Sequence, residues 1–116
     1  MQTDGTSLSN MFDIATDEDW FKFDASAGDL YNIYTTNLAA GVDTILEIYD
    51  TDGVTMLATD DNSGGGNASL LTWQAPADGT YYVRVRQASG STYGCDASYD
   101  IVNKVFHRIF LPLVER

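Results

Sequence analysis

The chain has 116 residues, 44% of them apolar, which is enough for one domain around one core. Its single cysteine excludes an intramolecular disulfide, and two prolines with ten glycines exclude a low-complexity or collagen-like chain. The net charge is −11, so phosphate repels the body and nucleic acid is excluded as a partner.

Helix periodicity is nearly absent. Short alternating segments of β-branched and aromatic residues, punctuated by turn residues, predict about eight strands. The first is expected near Asn10–Ile14 and the second over Asp19–Ala25, with Trp20 and the alternating pair Phe21 and Phe23. Leu30–Asn37 follows the Ala27-Gly28-Asp29 turn, with Tyr31, Ile33 and Thr35 on one face. In Thr44–Tyr49, period two puts Thr44, Leu46 and Ile48 on one face and Ile45, Glu47 and Tyr49 on the other. Asp50-Thr51-Asp52-Gly53 reads as a type I turn, or as the opening of a calcium loop that lacks its later ligands. Met56–Thr59 and Ser69–Gln74 are short strands flanking the long loop at 60–67. Pro76-Ala77-Asp78-Gly79 is a tight turn with its glycine placed for positive φ. Thr80–Gln87 points Tyr81, Val83 and Val85 one way and Tyr82, Arg84 and Arg86 the other. Ala97–Asn103 closes the set. Short connections make the pairing antiparallel, so the prediction is an all-β sandwich of two sheets.

Fourteen of the seventeen acids are Asp, and seven of them, Asp17, Asp19, Asp43, Asp50, Asp52, Asp60 and Asp61, sit at the ends of the alternating segments. Oxygen-rich loops on a β scaffold suit Ca²⁺, which takes six to eight oxygen ligands. Asp60-Asp61-Asn62, followed by Gly64–Gly66 and Asn67, is the best metal loop, with Asp43 from the neighbouring loop; the plainer alternative is a solvated hairpin loop. Zinc is disfavoured with one histidine and one cysteine. His107 has no nucleophile pattern near it and Gly94-Cys95-Asp96 supplies no triad, so no enzyme is expected. Cys95 is either buried or open to intermolecular pairing. Trp73, Tyr82, Tyr93 and Tyr99 are core aromatics or, alternatively, a platform for sugar or peptide.

Six stretches stand in a recognisable order. They are Thr16-Asp17-Glu18-Asp19-Trp20-Phe21-Lys22-Phe23, Gly28-Asp29-Leu30-Tyr31-Asn32-Ile33, Asp43-Thr44-Ile45-Leu46-Glu47-Ile48-Tyr49-Asp50, Leu57-Ala58-Thr59-Asp60-Asp61-Asn62, Asp78-Gly79-Thr80-Tyr81-Tyr82-Val83-Arg84-Val85 and Ser98-Tyr99-Asp100-Ile101. Over roughly residues 10–103 the chain resembles the bacterial pre-peptidase C-terminal domain family. The resemblance implies a jelly-roll-like β-sandwich, commonly non-catalytic and appended to exported enzymes. The collagen-binding domains of clostridial collagenases look like relatives, and their calcium motif implies Asp17 and Asp19 as ligands.

Residues 1–103 are thus expected to form the sandwich and residues 104–116 an apolar tail, in which seven of thirteen residues are Val, Ile, Leu or Phe. Two functions from different classes fit. One is a calcium-binding extracellular module that binds a matrix polymer or stabilises a secreted protein. The other is a subunit of an extracellular homopolymer, in which the tail row Ile109, Leu111 and Leu113 pairs with a neighbour's sheet edge. An edge strand within the same molecule is the plainer reading of the tail. The polar start Met1-Gln-Thr-Asp-Gly carries no secretory leader, so the chain is expected to be processed or cytoplasmic. No run reaches the roughly 18–20 apolar residues of a membrane span.

Overall fold

The computed structural model describes residues 1–11, 18–39, 41–61, 66, 68–87 and 98–106. The described residues form eight strands and no helix: β1 (Leu8–Met11), β2 (Glu18–Ala25), β3 (Leu30–Thr36), β4 (Thr44–Tyr49), β5 (Met56–Asp60), β6 (Leu70–Gln74), β7 (Gly79–Gln87) and β8 (Ser98–Phe106). Two antiparallel four-stranded sheets run in the orders β1-β8-β3-β6 and β2-β7-β4-β5. Every connection crosses from one sheet to the other except the β4–β5 hairpin, which lies within the second sheet, giving a jelly-roll-like sandwich.

Alternation in the sequence sets the register. In the second sheet Phe23 pairs with Tyr81, Ile48 with Val83 and Leu46 with Val85, so all six face inward together. The first sheet answers with Tyr31, Ile33, Leu71, Trp73, Tyr99 and Ile101. One end of the core is aromatic: Trp73 meets Tyr81 edge-on at 4.7 Å between centroids, and Phe23 lies 5.2 Å from Tyr31. Trp73 and Tyr99 are therefore core residues, not a surface platform; Tyr93 lies outside the described residues. Asn103 also points into the core, fully buried, and its side-chain amide has no hydrogen-bond partner among the described residues.

Three expectations change. The first strand is centred earlier, on Leu8–Met11, because its partner is Ser98–Ile101. Gly79 has no positive φ; a side chain there would sit 2.9 Å from Thr51 Cγ2, so close approach explains the glycine. The left-handed glycine of the neighbouring turn is Gly53, whose N–H closes the turn onto the Asp50 carbonyl at 2.8 Å. The last strand does not end at Asn103 but runs on to Phe106. Leu30, Tyr31 and Asn32 pair with Phe106, Val105 and Lys104, while Thr3 and Gly5 bond the other edge of β8. The first three tail residues thus belong to their own sheet, and the homopolymer reading is not favoured. Ile109, Leu111 and Leu113 lie outside the described residues.

Candidate functional site

Every odd-numbered strand ends, and every even-numbered strand begins, at one pole of the sandwich. That topology gathers the Asp-bearing strand ends around 19, 43 and 60–61, which lie far apart in sequence. Asp43 precedes β4 and its N–H donates to Gln87 Oε1 at 2.6 Å, at the end of β7. Burial pushes the Asp43 carboxyl above the ordinary aspartate range, and the adjacent Asp61 carboxylate, in hydrogen-bond contact with it, pushes the same way. Asp60 Oδ2 accepts from the Leu70 N–H at 2.9 Å and so ties β5 to β6.

Beneath this pair lies a polar floor. Thr35 Oγ1 is 2.7 Å from Thr44 Oγ1, which is 2.9 Å from Ser69 Oγ. Ser69 Oγ also reaches the carbonyls of Thr44 and Asp61. All three hydroxyl residues are buried, so the chain turns its backbone oxygens around a fixed point between the sheets. Asp19 faces inward from β2, and its Oδ2 accepts from the Tyr99 hydroxyl at 2.6 Å. The structure therefore brings together Asp43 and Asp61, while Asp60 accepts from the Leu70 N–H and Asp19 from the Tyr99 hydroxyl. Asp17 and Asn62 lie outside the described residues. Among the described residues no three acidic, histidine or cysteine side chains converge on one point. The turn acid Asp52 is occupied with holding its own loop, accepting from the N–H groups of Val54 and Thr55.

A second constellation escapes strand-by-strand reading. It is the outer face of the β2-β7-β4-β5 sheet, where register sets Trp20, Arg84 and Glu47 in one row and Lys22, Tyr82 and Tyr49 in the next. Glu47 is only 1% exposed although it points away from the core. Arg84 Nε donates to Glu47 Oε1 at 2.5 Å, Arg86 Nε to Oε2 at 3.1 Å, and the Tyr49 hydroxyl to Oε1 at 3.1 Å. Burial works to raise the Glu47 carboxyl, but these donors outweigh it and hold the group below the ordinary glutamate range. The Arg84 guanidinium lies 5.5 Å from the Trp20 ring centroid and 5.4 Å from that of Tyr49, and Nη1 reaches Glu18 at 3.2 Å. Trp20 Nε1 donates to Glu18 as well, at 3.3 Å, yet the residue stays 45% exposed. The signal for this face was present in two outward rows, Ile45/Glu47/Tyr49 and Tyr82/Arg84/Arg86. It emerges only when the pairing of β4 with β7 and β2 is known.

Comparisons with known proteins agree with this architecture. The family model described as the bacterial pre-peptidase C-terminal domain matches residues 17–87. A probable subtilase-type serine protease of Deinococcus radiodurans is 34% identical over 85 residues, which is 69% of this chain. The match spans only 11% of that relative's length. Among solved structures, the pre-peptidase C-terminal domain of the Bacillus anthracis collagenase superposes with a TM-score of 0.67 at 16% identity, covering 87% of this chain and 90% of that one. The periplasmic inhibitor of g-type lysozyme, PliG, from Aeromonas hydrophila does so at 0.64 and 15% identity, covering 90% and 88%. At these identities the structural likenesses speak for the fold. Among the described residues no helix is long and apolar enough to cross a membrane.

Proposed function

Because the chain belongs to the bacterial pre-peptidase C-terminal domain family, whose domain is a non-catalytic module, we infer that it is itself a non-catalytic accessory domain. It works outside the cytoplasm, binds Ca²⁺ at its acidic pole, and serves an exported protein by stabilising it or holding it to a matrix polymer. The observation that carries the calcium reading is the Asp43–Asp61 contact. Two carboxyls held together over a buried polar floor repel each other when both ionise, and a divalent cation relieves that repulsion. Asp43, Asp60 and Asp61 would hold the ion, with Asp17, Asp19 and Asn62 as further ligands proposed on sequence grounds. The ion would supply fixed positive charge at the pole where Asp43 precedes β4, Asp60 ends β5 and Asp61 follows it. The parent enzyme of the Deinococcus relative, a probable serine protease, and the collagenase source of the Bacillus domain support the setting beside a secreted peptidase.

Thermal unfolding with Ca²⁺ and with chelator tests this. Extracellular sites bind in the range of about 10⁻⁴–10⁻³ M. An excess of ten- to a hundred-fold over Kd stabilises a domain by roughly 1.4–2.7 kcal/mol, a shift on the order of 5 °C in Tm for a chain of this size. Asp61→Asn is expected to abolish the shift. An unchanged Tm across that calcium range contradicts the calcium site.

A further inference from the structure

We propose that the outer face of the β2-β7-β4-β5 sheet binds an uncharged polysaccharide, with Trp20 as the stacking platform. This deepens the polymer-binding part of the accessory-domain reading and rests on it.

The platform is rigid before any ligand arrives. Trp20 is held by its N–H on Glu18, by Arg84 against its ring and by Tyr49 at 5.1 Å, so stacking on it costs little side-chain entropy. Nearly half the residue nevertheless stays open to solvent, which leaves a large, pre-positioned aromatic surface for a ligand to cover. A pyranose ring offers a patch of C–H groups to such a π-face and hydroxyls at its rim. The groups around Trp20 match that rim. The carboxylate of Glu18 and the guanidinium of Arg84 lie side by side, giving an acceptor next to a donor, and a sugar hydroxyl is both.

Charge selects among polymers. The outward charged side chains are Lys22, Arg84 and Arg86 against Glu18, Asp24 and Glu47, which balance. This neutral strip sits on a chain of net charge −11. A polyanion gains nothing from a balanced strip and is repelled by the body. A polycation is drawn to the acidic pole instead. An uncharged, hydroxyl-rich chain fits the strip, and its binding is expected to depend little on salt.

The full chain is mixed with insoluble chitin, with cellulose and, separately, with fibrillar collagen, at about 0.15 M and about 1 M NaCl, and depletion from solution is measured. Retention on chitin or cellulose is expected, about equal at both salt concentrations. Trp20→Ala is expected to weaken it at least about ten-fold. In parallel, soluble chitin and cellulose oligosaccharides are titrated into the wild-type chain while tryptophan emission is followed. Trp73 is buried, so a change in the emission of an exposed tryptophan reports on Trp20 whether or not the variant folds. Retention on collagen alone overturns the polysaccharide assignment and leaves polymer binding standing. Retention on none of the three overturns both. Polysaccharide retention without an emission change, or equal in a folded Trp20→Ala variant, overturns the role of this face.

Discussion

At the scale of single residues, two carboxyls are tuned in opposite directions, and each shift has consequences for stability. Glu47 is held below the ordinary glutamate range, so its contribution is present above that range and fades as pH falls through its depressed value. Glu47→Ala leaves Arg84 and Arg86 without their shared acceptor and is expected to destabilise the domain by roughly 2–3 kcal/mol, read from the urea midpoint at neutral pH. Asp43 behaves oppositely. Its raised value means that the stability linked to its protonated form is present below the ordinary aspartate range and is lost as pH rises through the raised value. In chelator, Asp43→Asn should therefore gain stability relative to wild type as pH rises from acid toward neutral. A difference between the two proteins that stays flat across that window, measured by urea unfolding at several pH values, would contradict the contact with Asp61. In saturating Ca²⁺ the ordering is expected to reverse, because the wild-type carboxylate then has a cation to hold.

At the scale of elements, β8 is the informative strand. Its last three residues read in the sequence as the start of an apolar tail because Lys104-Val105-Phe106 is separated by only His107 and Arg108 from the run Ile109-Phe110-Leu111. They are strand residues because β3 is seven residues long and its first three need partners, while the N-terminal segment closes the other side through Asp4 and Gly5. A chain ended after Phe106 and one ended after Asn103 separate the two descriptions. The shorter chain loses three rungs and the packing of Val105, at a cost on the order of 2 kcal/mol, and its denaturation midpoint should drop below that of the longer one. Equal midpoints would mean that these rungs hold nothing. Where one face packs on the core, period-two alternation was sufficient: Tyr81, Val83 and Val85, and likewise Tyr31, Ile33 and Thr35, lie inward as their spacing requires. Alternation has no means of showing what lies beside an outward residue. Glu47 reads as a solvated acid on the far side of β4, and its burial comes from Arg84 and Arg86, which are some 40 residues away in sequence and one strand away in space.

At the scale of the whole molecule, the jelly-roll order explains why scattered loop aspartates become one acidic pole. The strand ends that carry Asp19, Asp43 and Asp60–Asp61 are neighbours by topology, and that much was foreshadowed by the clustering of Asp at strand ends. The sequence could not reveal which acids touch. Asp43 finds Asp61, Asp60 turns to a backbone amide, and Asp19 takes the Tyr99 hydroxyl across the two sheets. The same topology leaves the basic side chains Lys22, Arg84 and Arg86 together on one flat outer face, away from the core. One small domain thus carries an acidic pole at one end and an aromatic strip of balanced charge on one outer face. The most direct test of the calcium account is calorimetric titration of the full chain with CaCl₂ at neutral pH. The account predicts a saturable heat with Kd in the range of about 10⁻⁴–10⁻³ M, lost in Asp61→Asn; no saturable heat, or the same heat in the variant, would contradict it.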